Sequence, residues 1–179
     1  MAIKVPIHFI YLQGVHAYID IVIDNCQHGK LLIDTGASQT IFSSNNTDIN
    51  SFITPIDQNE FVRCYPLKEQ VKLPVTINQQ FGFDDDQIVA LTANMPVNLQ
   101  FGLIAQLQIG DLSIEHLPVA RIDLSQITKM YADYYDIHNI WGLLGSDLLY
   151  LYRAKLNFSN ETLELLSKPR NLDYKPKDS

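Results

Sequence analysis

From Val15 to Ile23 every second residue is apolar: Val15, Ala17, Ile19, Ile21 and Ile23, with His16, Tyr18 and Asp20 among the residues between them. A period of two puts one set of side chains on a buried face, so this stretch predicts a half-buried strand. The polar run from Asp24 to Gly29 predicts a turn, and Leu31-Leu32-Ile33 a short, fully apolar strand. Leu103, Ala105, Leu107 and Ile109 again share one face, and Gly110-Asp111 suits a hairpin turn into Leu112-Ser113-Ile114. Two closing strands, near Ala154 to Phe158 and Thr162 to Leu166, flank a turn at Ser159-Asn160.

Helical patterns are few. Ile127, Met130, Tyr131 and Tyr134 fall at helical spacing between Ser125 and Tyr135. A second, shorter helix is expected from Ser146-Asp147 through Leu148, Leu149 and Tyr152, because Ser and Asp favour helix starts. The stretch from about Ser43 to Asp86 is rich in Asn, Gln and Asp, and predicts loops with one or two extra strands, such as Val71 to Ile77. With no tandem repeat and no linker composition, the pattern gives a mainly β, single-domain protein. The domain is expected over residues 1–167 with a polar insertion at about 43–86, followed by a polar tail at 168–179.

One stretch carries chemistry: Leu31-Leu32-Ile33-Asp34-Thr35-Gly36-Ala37-Ser38-Gln39-Thr40-Ile41-Phe42. A carboxylate stands between an apolar strand and a glycine-containing turn, with small polar residues and another apolar pair behind it. This resembles the active-site strand of the retropepsin-like aspartic peptidases, which ends in Asp-Thr/Ser-Gly-Ala. Ile140-Trp141-Gly142-Leu143-Leu144-Gly145-Ser146-Asp147 resembles the same family's apolar-apolar-Gly motif, with Leu143, Leu144 and Gly145 as its core. The resemblance covers roughly Val15 to Phe42 and Val89 to Leu165, and it implies a closed β-barrel with one or two short helices.

What the resemblance implies for activity has a physical basis. Two carboxylates sharing one proton cannot both ionise, so the pair divides into a base that activates water and an acid that polarises the scissile carbonyl. Asp34 would be the catalytic residue, supported by Thr35, Gly36, Ala37 and Ser38. Gly36, lacking a side chain, can offer its N–H to the carboxylate. The Thr35 hydroxyl would bond across to a partner loop. Only one such motif is present, so the dyad implies a homodimer with one Asp34 from each copy. The implied flap centres on Ala93, Asn94, Met95, Pro96 and Val97. It is glycine-poor for the family, and Ser38 replaces the acidic residue usual in viral enzymes.

Composition narrows the alternatives. With 20 acidic against 13 basic residues the net charge is −7, which excludes an extended basic surface for nucleic acid. No apolar run is long enough for a membrane span, and the first residues lack a leader's layout, so a cytoplasmic location is expected. Cys26 and Cys64 are read as free thiols, with one bridge possible. The five histidines show no metal-ligand spacing, and neither metal nor cofactor is expected. Asp147 reads as a helix-start residue, not a second catalytic acid. Asp34 could instead only cap its own turn. The partners expected are a second copy and a peptide or protein substrate; the other reading is a dimeric, non-catalytic peptide-binding domain.

Overall fold

The alternating stretch is strand β3 (Val15–Ile23), and it joins β4 (Gln27–Ile33) through a tight turn. Asp24 and Asn25 both adopt positive φ there, and the Cys26 N–H bonds to the Ile23 carbonyl at 3.1 Å. That is the primed turn whose twist suits paired strands, and Asp and Asn tolerate its left-handed backbone. The computed structural model describes residues 1–11, 14–66 and 99–170. Along the chain the remaining strands are β1 (Ala2–Pro6), β2 (His8–Tyr11), β5 (Ile41–Ser43), β6 (Ile53–Ile56), β7 (Gln100–Ile109), β8 (Leu112–Ile122), β9 (Ile140–Leu144), β10 (Lys155–Asn157) and β11 (Thr162–Leu166).

Six strands close into a barrel in the order β3-β4-β9-β5-β8-β7. Closure comes from β7 pairing back onto β3 through Val22↔Gln108 and Ile23↔Leu107. The turn at Asp24 secures this seam: its N–H bonds to the Gln106 carbonyl and its carboxylate accepts the Gln106 N–H, both at 3.1 Å. Closing the sheet leaves its six strands without a free edge. Inside lie Ile19, Ile21, Ile23, Leu31, Phe42, Ile104, Leu107 and Trp141, all essentially inaccessible. Trp141 fits because residue 29 is glycine; a Cβ there would stand 2.1 Å from the indole. β2 and β6 extend the sheet beside β3 and β7.

The termini make a second, three-stranded sheet in the order β1-β11-β10. Ile3 and Val5 alternate inward and meet Leu163 and Leu165 in the main core. The tail is not wholly free: Arg170 donates its backbone N–H to the Leu151 carbonyl and its side-chain Nε to the Tyr150 carbonyl. Residues 171–179 lie outside the described residues.

Four helices are described. Helix α3 (Ser125–Tyr135) and helix α4 (Ser146–Leu151) stand where the pattern placed helices. The polar segment adds α1 (Thr47–Asn50) and α2 (Gln58–Cys64) beside strand β6, instead of loops and strands alone. The Asn46 side chain accepts the Asp48 N–H and the Asp57 side chain accepts the Glu60 N–H, so these polar residues act as helix caps. Four and seven residues are too few to display a helical period. The expected strand at 71–77 and the expected flap at 93–97 lie outside the described residues.

Helix α3 covers the outer face of the barrel, with Tyr131, Ile127 and Met130 over Leu32, Ile41, Ala120, Ile122 and Leu143. Tyr134, expected on this stripe, is 77% exposed, and Tyr135 packs in its place. Periodicity finds the apolar side of a helix but not how far the sheet beneath it reaches. Cys26 and Cys64 are exposed and unbridged. No helix among the described residues is long and apolar enough to cross a membrane.

Candidate active site

Strands β4 and β9 run parallel with Leu31↔Gly142, Leu32↔Leu143 and Ile33↔Leu144 in register, so the two sequence motifs end side by side. Asp34 follows the end of β4, and its N–H bonds to the Leu144 carbonyl at 3.1 Å. The chain then turns, with the Ala37 N–H on the Asp34 carbonyl at 3.2 Å. Carboxylate oxygen Oδ1 of Asp34 accepts the Gly36 N–H at 2.9 Å and the Ala37 N–H at 3.3 Å. Asp34 is half-buried, Thr35 and Gly36 are exposed, and Ala37 is buried. The loop thus presents one carboxylate at the surface, oriented by its own backbone.

Glycines let the second motif approach this loop. A Cβ at Gly145 would lie 2.2 Å from the Gln39 carbonyl carbon, and one at Gly142 would lie 1.9 Å from the Ile41 oxygen. Real carbon atoms do not come so close, so only glycine allows β9 and the start of α4 to pack against residues 39–42. The contact is reinforced by Ser146, whose N–H bonds to the Ala37 carbonyl at 2.8 Å and whose hydroxyl donates to the Ser38 carbonyl at 3.4 Å. Leu143 and Leu144 are buried, Leu143 under α3 and Leu144 in the main core.

Beneath the loop is a buried polar cluster that the sequence pattern did not reveal. The Asp147 carboxylate, in the first turn of α4, is 5% exposed. It accepts the Thr40 N–H at 3.0 Å, the Thr40 hydroxyl at 2.7 Å, the Tyr65 hydroxyl at 3.1 Å and its neighbour Leu148's N–H at 2.7 Å. Thr40 in turn accepts the Gly145 N–H at 3.1 Å. Asp147 is thus a helix-start residue, as its position suggests, and also the centre of a network joining three chain segments. Burial raises its pKa above the ordinary aspartate value, and the Thr40, Leu148 and Tyr65 bonds pull it back in part. The Tyr65 phenol is pushed far up by burial first and by Asp147 second, so it keeps its proton and serves as a donor.

On the outer side stands Tyr131 of α3. Its hydroxyl lies 2.9 Å from His16 Nδ1 of β3, and the two rings meet edge to face. The Tyr131 phenol is held above its ordinary pKa by burial, then by Tyr135, then by the charge of Asp34. Neither His16 nor Tyr131 belongs to either motif. The one sequence trace of the pairing is that Tyr131 lies on the predicted apolar stripe of α3.

No known protein family's profile matches the sequence, and no curated protein matches it. Among solved structures the chain is similar to the crystal structure of a retropepsin-like aspartic protease from Rickettsia conorii, with 17% identity and a TM-score of 0.47 over 92% of this chain and 89% of that one.

Proposed function

We propose that this chain is an aspartic endopeptidase of the retropepsin type, acting as a homodimer in which each copy supplies one Asp34. The observation that carries the reading is the Asp34 loop itself. A half-exposed carboxylate is held by the Gly36 and Ala37 N–H groups, on a turn braced by the neighbouring Leu-Leu-Gly strand end. The other acid of the two motifs, Asp147, is buried and fully engaged with Thr40, Tyr65 and Leu148, so it does not serve as the dyad partner.

In the dimer the two Asp34 carboxylates share one proton. The ionised member takes a proton from a water molecule, which attacks the scissile carbonyl, and the protonated member donates to that carbonyl oxygen. The titration belongs to the pair. In this reading the Thr35 side chain, which is exposed, contacts the second copy's loop, and a peptide lies extended across the paired loops. No metal or organic cofactor enters this chemistry. The flap assigned to Ala93–Val97 and the cytoplasmic location belong to the same reading.

A second reading has one specific support. The two bonds to Asp34 Oδ1 also suit an aspartate that merely caps its own turn in a dimeric, non-catalytic peptide-binding domain. Cleavage of a mixed peptide library by wild type and Asp34→Asn, read by mass spectrometry from acid to neutral pH, separates the two. Products that vanish in the variant establish the peptidase. A folded, dimeric wild type that yields no products at any pH establishes the binding domain.

A further inference from the structure

The β3–β4 ladder ends at Tyr18↔Leu32, and continuing that register by two residues sets His16 opposite Asp34. Opposed residues of antiparallel strands project to one face, with Cβ atoms about 5 Å apart where the strands stay together. Here β4 has ended and Asp34 turns to bond Leu144, so the pair opens, but both residues remain at the same end of the same two strands. Tyr131 of α3 meets the end of β3 at His16. Its hydroxyl bonds His16, and its phenol feels the charge of Asp34.

The two partners differ in exposure. Tyr131 is 2% exposed and packed among Tyr135 and the apolar residues of the outer face, whereas His16 is exposed. A buried hydroxyl needs an acceptor, and His16 Nδ1 is the partner found for it. In the tautomer in which the Tyr131 hydroxyl donates to Nδ1, the neutral imidazole carries its proton on Nε2, free to donate outward. A buried anchor therefore holds the exposed His16 at the end of β3 that lies next to the end of β4 from which Asp34 follows. Charged and titratable neighbours on β2, β3 and β4 include His8 and Asp20, which pair with each other, Lys30, which reaches toward Asp20, and Tyr18, which stacks on His8.

We propose that His16 is a substrate-contacting residue of the Asp34 site, donating from Nε2 to a hydrogen-bond acceptor on the bound peptide, and that Tyr131 is its positioning residue. The proposal rests on Asp34 being catalytic. The acceptor is either a backbone carbonyl or an acceptor-bearing side chain next to the scissile bond, and the test separates them.

The experiment compares wild type, His16→Ala, Tyr131→Phe and Asp34→Asn on one peptide library, with circular dichroism to establish folding. His16→Ala is expected to lower kcat/KM about tenfold or more, the worth of one hydrogen bond to bound substrate, chiefly through KM. Tyr131→Phe, which keeps the ring and removes the bond to His16, should lower it in the same direction by less. A uniform loss across the library assigns a backbone carbonyl; a changed preference at one substrate position assigns a side chain. Cleavage by His16→Ala at the wild-type rate and preference, with Asp34→Asn inactive, overturns this inference and leaves the peptidase intact. Cleavage by Asp34→Asn overturns the peptidase reading itself. As a readout that needs no turnover, a library peptide added to Asp34→Asn should shift the His16 imidazole resonances; binding without such a shift also overturns the proposal.

Discussion

Thr40 gives its backbone N–H to one oxygen of the Asp147 carboxylate at 3.0 Å and its hydroxyl to the other at 2.7 Å, across 107 residues of sequence. This pair of hydrogen bonds between the far side of the Asp34 loop and the first turn of α4 fixes the loop from behind. Tyr65 adds a third anchor from the end of α2, so a segment outside both motifs contributes to the same support.

Removing the carboxylate should therefore be expensive. Asp147→Ala leaves the Thr40 hydroxyl and N–H and the Tyr65 hydroxyl buried without an acceptor, and should cost about 3 kcal/mol or more. Urea unfolding followed by tryptophan fluorescence measures it, Trp141 being buried in the barrel. A loss below about 1 kcal/mol would mean that the network does not brace the loop.

The same residue predicts a pH dependence. The folded-state pKa of Asp147 is raised by burial, so ionising it is harder in the fold than in the unfolded chain. Its contribution to stability is then fullest below the ordinary aspartate pKa and declines as pH rises through the higher folded value. Against Asp147→Asn, which cannot ionise, wild type should lose relative stability as pH rises from that ordinary value. Parallel stability curves for the two proteins from pH 4 to 8 would contradict the raised value.

Gly145→Ala should be severe although it adds a single methyl group. The new carbon would stand 2.2 Å from the Gln39 carbonyl carbon and 2.7 Å from the Thr40 nitrogen, both backbone atoms that cannot step aside. Overpacking of this kind costs about 2–3 kcal/mol or more. It should also displace Ser146 from Ala37 and Ser38 and lower any cleavage activity further than the lost stability explains. Thermal unfolding and peptide cleavage, measured side by side, check both parts.

If the active species is a dimer with one Asp34 from each copy, specific activity should fall on dilution and follow the dimer fraction measured by sedimentation. Mixing wild type with excess Asp34→Asn should poison activity through mixed dimers. Activity that is independent of concentration and unaffected by the variant would show that one chain suffices.

Much of this protein is written in consecutive residues. The period-two run at Val15–Ile23, the Gly110-Asp111 hairpin and the apolar spacing of α3 each express a local rule, so sequence alone places those elements; the turn expected from Asp24 to Gly29 is shorter, because β4 already begins at Gln27. The Asp34 turn with its glycine, and the Leu143-Leu144-Gly145 strand end, were legible for the same reason. Short capped helices such as α1 and α2 were not, because a turn or two of helix has no period to detect.

What only the tertiary structure decided is which distant residues meet. Closure of the barrel brings β7 back to β3, and parallel pairing of β4 with β9 sets Leu144 beside Asp34. Asp147 reads in sequence as one more residue at a helix start. Its role appears only when Thr40 and Tyr65, far away along the chain, are brought to its oxygens in a space closed to water. His16 likewise reads as one polar position in an alternating strand until α3 lays Tyr131 against it. Local pattern fixes the direction of a side chain. The value of a buried charge or hydrogen bond depends on what surrounds it, and that is set by packing across the whole fold.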